Sequence, residues 1–344
     1  MLPVVVEFLG RAEYHAVLRR QNELFDRLLA RAKTVTQAQF ELSKRRNQQE
    51  PGGALSPQAL QVHDADHPIR LLVCEHSDGV YTMGKRDTSS GWRSDGGDAA
   101  SAAAPSSFSA SSTSPSAARH DRSREPANLV HLRRGGGLTY HGPGQLMMYP
   151  ILHVPSVYRA APSNAATGDA TRTAFVDKKQ GALHWYTELL EHTMIDTLAG
   201  RGVRGAYRGN TGVWVPRNVS GASNAAAETA GEGETCSAVK CSAANKMPPR
   251  PDSLKVGFIG LELRAMCAMH GLAINVRPEC VAPYDKIVIC EMKSAETTCV
   301  ESVLRAQSLS QSQQDVAPAA LTVEEIGKDC VAHFIRLAGL KRVA

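Results

Sequence analysis

The chain has 344 residues, of which 42% are hydrophobic and 21% charged, and its formal net charge is +5. This composition is typical of a globular protein with one large or two small domains, and the scattered basic residues predict no nucleic-acid-binding surface. No apolar run approaches the length of a membrane span. Eight cysteines in a chain this long do not indicate a disulfide framework, so reduced thiols inside a cell are expected.

The first elements in chain order are a strand and an amphipathic helix. Residues 3–9 are predicted to form the strand, and apolar side chains recur at helical spacing through residues 11–32. Because a strand pattern follows Met1 directly, without an Arg-rich amphipathic segment, no transit peptide is predicted. Residues 69–75 and 79–84 are predicted as two further strands.

A glycine-rich stretch at residues 133–145 separates two apolar runs, 129–132 and 146–154. It contains three consecutive glycines, a Tyr-His pair and Gly-Pro-Gly, which disfavour a regular helix. It lacks the Gly-Lys-Ser/Thr of a Walker loop, and a strand rather than a helix follows it, unlike a dinucleotide fingerprint. We therefore expect a sharply bent backbone that forms the floor of a binding site.

The second half of the chain is predicted to contain a helix over residues 182–198 and a strand over 211–215. Residues 254–263 and 268–276 are rich in β-forming residues, and the short link between them predicts an antiparallel pair. Thr322 and Glu325 have the spacing of a capping box, which predicts the start of the last helix.

Five segments of small and polar residues predict disordered insertions in a single domain spanning 1–344: 40–67, 88–127, 155–178, 217–252 and 305–320. Removing them leaves roughly 200–230 residues, within the range of one domain. Helices and strands do not alternate regularly. The predicted class is therefore α+β, with a mixed or antiparallel sheet flanked by helices.

Five blocks of this sequence, in order, resemble the lipoyl(octanoyl) transferase family of the biotin/lipoate protein ligase superfamily. Residues 134–145 match its Arg-Gly-Gly-x-x-Thr-Tyr-His-Gly-Pro-Gly-Gln signature without a gap. The other blocks are 75–84, 212–215, 255–260 and 270–276. Together the blocks cover most of the chain outside the predicted insertions.

The resemblance implies an acyltransferase with a ligase-like mixed sheet. Family members take an octanoyl group from octanoyl-acyl-carrier protein, hold it as a cysteine thioester and pass it to a lysine of a lipoyl domain. The implied acceptors are lipoyl domains of 2-oxoacid dehydrogenase complexes and the glycine cleavage H protein. No cofactor, metal or membrane partner is expected. A mitochondrial location is expected from the resemblance alone.

The resemblance also assigns catalytic roles. Lys255 matches the family's essential lysine, and Cys290 falls at the nucleophile position if one residue is inserted. The flanking Ile289 and Glu291 replace a proline and a glycine. Cys299 is the second choice. A thiolate can attack a thioester and later leave, and a nearby cation lowers the thiol's pKa.

The substrate-binding residues implied by the resemblance lie in three blocks: Arg134, Gly135, Gly136, Gly137, Leu138, Thr139, Tyr140, His141, Phe258, Ile259, Gly260, Gly271, Leu272 and Ala273. Glycines leave room for an acyl chain, and backbone N–H groups in glycine-rich turns can stabilise an oxyanion. His270 is interpreted either as a core histidine or as a substrate contact.

Two alternatives remain open from the sequence. An ATP-dependent lipoate–protein ligase of the same superfamily needs the lysine but no cysteine. The altered residues beside Cys290 instead suggest a catalytically impaired homologue that binds acyl-carrier protein or lipoyl domains.

Overall fold

The computed structural model describes residues 1–47, 60–86, 126–162, 181–209, 212–217, 252–288, 296–309 and 321–343. The strands are β1 (Pro3–Ala12), β2 (Ile69–His76), β3 (Val80–Met83), β4 (Leu129–His131), β5 (Leu138–His141), β6 (Gln145–His153), β7 (Tyr207–Gly209), β8 (Gly212–Pro216), β9 (Ser253–Arg264), β10 (Cys267–Asn275), β11 (Glu296–Thr297) and β12 (Lys341–Arg342). The helices are α1 (Tyr14–Asn47), α2 (Val154–Ala160), α3 (Ala182–Gly200), α4 (Val300–Leu309) and α5 (Val323–Ala338).

A large mixed sheet organises the described chain. Its strand order is β12-β1-β2-β6-β10-β9-β8-β7, with β11 paired to β9. β1 runs parallel to both neighbours, whereas the pairs from β2 to β7 along this order are antiparallel. A smaller sheet has the order β4-β3-β5. The predicted α+β class and the predicted antiparallel pairing of the two strands after residue 252 are confirmed.

Alternation along the strands gives the large sheet two different faces. On β6, Leu146 and Met148 join a core with buried residues of α3 and α5, and we call this side the core face. The residue after each of these, Met147 and Tyr149, joins a second cluster with α1 and the small sheet. This second side is the cavity face, since the cavity described below lies there.

Helix α1 is longer than predicted. The pattern indicated residues 11–32, but the helix ends at Asn47, so the predicted loop over 40–67 is wrong for residues 40–47. Residues 33–47 contain neither glycine nor proline and are rich in Lys, Gln, Glu and Arg, which all favour a helix. Residues 48–59 lie outside the described chain.

Two other predicted insertions also contain helices. In 155–178, Pro155 occupies the first turn of α2, where its missing N–H costs nothing, and Val154 and Val157 are buried. In 305–320, the last turns of α4 extend to Leu309, and Val303 anchors the helix in the core. A few well-placed apolar residues thus outweigh the polar composition. The remaining parts of the insertions, 88–125, 163–178, 218–251 and 310–320, lie outside the described residues, and the single-domain assignment stays a prediction.

The predicted start of the last helix is confirmed. The Thr322 hydroxyl accepts the Glu325 N–H at 3.2 Å, and the Glu325 carboxylate accepts the Thr322 N–H at 3.2 Å. Gly339 ends the helix at φ 63°, a left-handed conformation that glycine adopts without strain. Within the described chain, no helix combines the length and apolarity needed to cross a membrane.

Candidate active site

A cavity of about 460 Å³ lies on the cavity face of the large sheet. Strands β6, β9 and β10 form its floor, and β5, the preceding glycine-rich loop and the start of α1 cover it. Its lining residues are Tyr14, Arg86, Leu132, Arg134, Gly136, Gly137, Leu138, Thr139, His141, Met147, Tyr149, Lys255, Phe258, Ile259, Gly260, His270, Gly271, Leu272 and Ala273. The glycine-rich block and two blocks more than a hundred residues later in the sequence, 258–260 and 271–273, therefore meet around one space.

Most residues that the sequence assigned to the site line this cavity, but Gly135 and Tyr140 do not. The Gly135 N–H donates to the Leu261 carbonyl at 2.8 Å, which ties the loop to β9. Tyr140 alternates with His141 on β5, so its ring points away from the cavity and packs against Tyr81 at 5.3 Å between centroids. Both residues support the cavity wall from outside.

Arg134 organises the glycine-rich loop. Its guanidinium donates to the carbonyls of Gly135 and Gly137, each at 3.0 Å, and to the carbonyl and hydroxyl of Thr82 at 2.6 and 2.7 Å. The side chain is only 6% exposed. Two of these hydrogen bonds therefore fix the loop internally and two hold it against β3. The aliphatic part of Arg134 borders the cavity beside Gly260.

Lys255 is buried, with 1% of its surface exposed. Its Nζ lies 5.3 Å from the ring centroid of Trp214 and 5.0 Å from that of Phe258. Aromatic faces attract a cation at such distances, and the attraction strengthens where water is excluded. A bulge at Val213/Trp214 places Trp214 opposite Lys255 across β8 and β9. The lysine charge is thus held inside the protein at one end of the cavity.

Gln145 joins several elements next to the cavity. Its Nε2 donates to Asn275 Oδ1 at 2.8 Å and to the Tyr284 hydroxyl at 2.9 Å. Its Oε1 accepts from His141 Nδ1 at 2.8 Å. Asn275 Nδ2 in turn donates to the Thr298 carbonyl at 3.1 Å, and the Tyr284 hydroxyl donates to the Tyr140 carbonyl at 2.9 Å. We call these side chains the glutamine network.

Cys290 lies outside the described residues, which stop at Val288 and resume at Glu296. One flank of that gap pairs with Lys255, and the other contacts Phe258, whose ring lies 5.0 Å from Lys255 Nζ. Before it, Tyr284 stacks on Phe258 with 5.1 Å between centroids. After it, Thr297 pairs with Lys255 in the parallel β9–β11 ladder. The assignment of Cys290 as nucleophile stays a prediction.

Cys280 and Cys299, the described cysteines that lie closest to Cys290 in the sequence, are buried away from the cavity. Cys280 Sγ donates to the Arg277 carbonyl at 3.0 Å, and Cys299 Sγ lies 3.1 Å from the Ser302 hydroxyl. Burial raises the pKa of both thiols. Neither borders the cavity, and a raised pKa disfavours the thiolate that the chemistry requires. The described residues contain no cluster of three or more metal-ligating side chains.

Two imidazoles line the cavity in matching environments. His141 Nδ1 donates to Gln145 Oε1, and His270 Nδ1 donates to Gln21 Oε1 at 3.1 Å. Burial lowers the pKa of each histidine to about 3. The hydrogen bond to Gln145 raises the pKa of His141, but the effect of burial is larger. Both rings are therefore neutral at physiological pH, and the His270 hydrogen bond goes to a side chain rather than to the backbone.

Several site residues were not predicted from the sequence. Met147 and Tyr149 are two positions apart on a strand, so alternation alone could have placed them on one face. Tyr14 and Arg86 carry no local signal, because only the tertiary fold brings them to the cavity. Asn275 lay in a matched block without an assigned role. Its hydrogen bond to Gln145 joins two neighbouring strands, β10 and β6, that are far apart in sequence.

Comparison with known proteins identifies the relatives of this chain. No protein-family model matches it. A curated octanoyltransferase of Pseudarthrobacter chlorophenolicus is 28% identical over 213 residues, which cover 61% of this chain and 68% of that protein. One from an Arthrobacter species is 28% identical over 243 residues, 69% of this chain and 71% of the relative. The chain is a homologue of these octanoyltransferases. A Synechococcus octanoyltransferase is 26% identical over 200 residues, 58% of this chain and 57% of its own length.

Solved structures similar to this chain are lipoate–protein ligases. A bipartite ligase from Thermoplasma acidophilum aligns with a TM-score of 0.44 and 8% identity, covering 100% of this chain and 88% of that one. Lipoate-protein ligase A bound with ATP aligns with a TM-score of 0.39 and 10% identity, covering 80% and 77%. Similarity at this level carries no argument about how this chain works.

Proposed function

We propose that this octanoyltransferase homologue moves an octanoyl group from a carrier-protein thioester to a lysine of a lipoyl domain. The observation that carries the proposal is the meeting of the glycine-rich signature, the 258–260 block and the 271–273 block around one cavity that also contains Lys255. Apolar lining suits the acyl chain. The buried lysine at one end suits a thiol that must ionise.

Cys290 is the proposed acyl carrier. In the sequence it lies two residues beyond Val288, and Tyr284, six residues before it, stacks on Phe258 beside Lys255. A cation in a water-poor setting stabilises a thiolate, and Lys255 is the cation proposed for this role. Its aromatic neighbours limit the water that would weaken the effect.

The proposed reaction has two acyl transfers. The Cys290 thiolate attacks the donor thioester carbonyl, a new C–S bond forms, and the donor's C–S bond breaks to release the carrier thiolate, which takes up a proton. A neutral lysine amine of the acceptor then attacks the acyl-cysteine. The amide C–N bond forms, the C–S bond breaks, the amine loses a proton and the Cys290 thiolate returns.

The partners follow from the same proposal. The donor is octanoyl-acyl-carrier protein, and the acceptors are lipoyl domains of 2-oxoacid dehydrogenase complexes and the glycine cleavage H protein. No cofactor takes part in the proposed steps. Since these acceptors work in mitochondria in eukaryotes, we propose the same compartment for this chain.

The decisive test is acyl loading on Cys290. Incubation with octanoyl-acyl-carrier protein should add one octanoyl unit to the intact protein, located at Cys290 by peptide mass spectrometry. Cys290→Ala should abolish both loading and transfer to a lipoyl domain, whereas the matched control Cys299→Ala should retain them. Transfer at the normal rate by the Cys290→Ala protein would refute the mechanism. Product formation from free octanoate only with ATP would favour a ligase instead.

A further inference from the structure

A second cavity of about 300 Å³ adjoins the first. Its lining includes the charged residues Arg133, Glu262 and Arg264 together with Leu18, Asn22, His131 and Met269. Leu132 and His270 line both cavities. These two side chains therefore form the wall between them, which we call the end wall.

The end wall lies about one octanoyl chain length from the proposed reaction centre. Lys255 Nζ lies 5.0 Å from the ring centroid of Phe258, and Phe258 is three residues from Leu261, which pairs with His270 across β9 and β10. Three strand residues span about 10 Å. An acyl chain whose thioester lies near Lys255 Nζ and whose tail runs along β9 therefore points its methyl end toward Leu132 and His270.

The backbone conformation of His270 places its side chain in the end wall. The residue has φ 61°, a left-handed conformation that is uncommon outside glycine. The β6–β10 pairing is interrupted between Ala268 and Leu272, although the register is the same on both sides. Backbone strain of this kind persists where surrounding contacts enforce it. Here the contact is Gln21 of α1, which holds His270 Nδ1 at 3.1 Å.

The end wall is polar on the histidine side. His270 Nε2 is buried, makes no hydrogen bond within the described residues and lies 3.8 Å from the Glu262 carboxylate. Leu132 completes the wall and is held through its backbone N–H, which donates to the Met83 carbonyl at 2.8 Å. A methylene group that reached this point would leave the buried Nε2 without a hydrogen-bond partner, which costs free energy.

We propose that Leu132 and His270 form a stop that sets the longest acyl chain this protein accepts. The inference rests on the proposed acyl-transfer function and identifies the part of the cavity that measures the chain. Truncating the wall joins the two cavities, so chains longer than octanoyl gain room in the second one. A pocket that gains or loses one methylene changes discrimination by roughly tenfold or more.

The test measures acyl loading with carrier-protein thioesters of eight, ten, twelve and fourteen carbons in competition. Leu132→Ala should raise the ratio of dodecanoyl to octanoyl loading by about tenfold or more. The matched control is Leu18→Ala, which removes the same atoms from a wall of the second cavity that the first cavity does not share. Its longest accepted chain should not change, because the end wall stays intact. His270→Ala is a second variant, with its folding checked by thermal unfolding.

The outcomes separate this inference from the proposed function. If the unaltered protein loads octanoyl but Leu132→Ala and folded His270→Ala keep its chain-length profile, the stop is refuted and the transferase function stands. The stop is also refuted if Leu18→Ala extends the profile as far as Leu132→Ala does. If no acyl group of any length is loaded on the unaltered protein, the proposed function fails and the stop fails with it.

Discussion

The two faces of the large sheet use the same strands for different purposes. On the core face, buried side chains of β6 and β10 pack against α3 and α5 in a continuous apolar cluster. On the cavity face, the same strands present Met147, Tyr149 and Ala273 beside glycines, with a buried lysine and two buried imidazoles nearby. One face of the sheet thus provides most of the apolar packing, and the other carries the proposed chemistry. The two functions are separated because successive side chains of a strand point to opposite faces.

Two glycines of strand β9 show the same contrast between the two faces. A Cβ added at Gly257 would lie 2.7 Å from Met194 Sδ of α3, on the core face. A Cβ added at Gly260 would lie 2.9 Å from Arg134 Cδ, on the cavity face. The same substitution three residues apart therefore probes packing in one case and the site in the other.

Lys255→Met should give the largest effect on activity. The methionine keeps most of the side-chain volume but removes the charge proposed to activate Cys290, so acyl loading should fall by roughly 10³-fold. The free energy of unfolding should not fall, because a buried charge is costly to maintain. Loading rates and denaturant unfolding measure the two effects.

Leu190→Ala is the counterpart on the core face. Leu190 is fully buried on α3, so its truncation should cost about 2–5 kcal/mol of unfolding free energy. The loading rate per folded molecule should stay close to that of the unaltered protein. Two results would contradict the division between the two faces. One is that Lys255→Met unfolds as readily as Leu190→Ala, and the other is that folded Leu190→Ala loses acyl loading.

The glycine pair should give intermediate effects. Gly257→Ala should lower the free energy of unfolding by about 1–3 kcal/mol through overpacking against Met194. Gly260→Ala should displace Arg134 and disturb the glycine-rich loop, so acyl loading should fall by about tenfold to 10²-fold with a smaller stability change. Melting temperatures and loading rates of both variants, compared side by side, measure the difference. Identical profiles for the two variants would contradict the alternation.

The smallest predicted effect concerns pH. Burial lowers the pKa of His76 to about 4, against roughly 6.5 in an unfolded chain. A histidine with a depressed folded pKa keeps the protein fully stable above the unfolded value and loses that contribution as pH falls from about 6.5 toward 4. Within this window His76 should account for roughly 1–3 kcal/mol of lost stability.

His76→Gln checks this expectation, because glutamine can still bond the Tyr149 hydroxyl that lies 2.7 Å from His76 Nε2 but cannot titrate. Unfolding free energies at pH 7, 6, 5 and 4 should fall less steeply in the variant. Comparing the two slopes cancels the acid sensitivity of the surface ion pairs. Parallel slopes would exclude His76 as a source of acid instability.

The strand pattern carried most of the fold prediction. Apolar runs bounded by glycine located β1, β2, β6, β8, β9 and β10, and the Thr322–Glu325 spacing located α5, since these signals are local. The helices inside the polar segments were missed because composition averages over the few residues that matter. In α4, for example, Val300 and Val303 are buried within an otherwise polar helix.

The site was predictable where motif residues are contiguous and not where the fold assembles it. Residues 134–141 were located as a unit, yet Tyr140 turned out to face away, since strand pairing with β3 decides which side chain points inward. The left-handed backbone of His270 had no signal, because glycine, the residue that normally marks it, occupies the next position. Its partner Gln21 is 249 residues away in sequence.

The glutamine network has a fixed direction. Two main-chain carbonyls, those of Tyr140 and Thr298, stand at its ends and can only accept, so Tyr284 and Asn275 must each turn a proton toward them. Both then offer oxygen lone pairs to Gln145, whose amide hydrogens are consumed there, leaving only its carbonyl for His141. The backbone thereby dictates that the imidazole carries its proton on Nδ1 and leaves Nε2 unprotonated. The polypeptide's own peptide groups, without any charged side chain, assign the tautomer of a ring that lines the cavity.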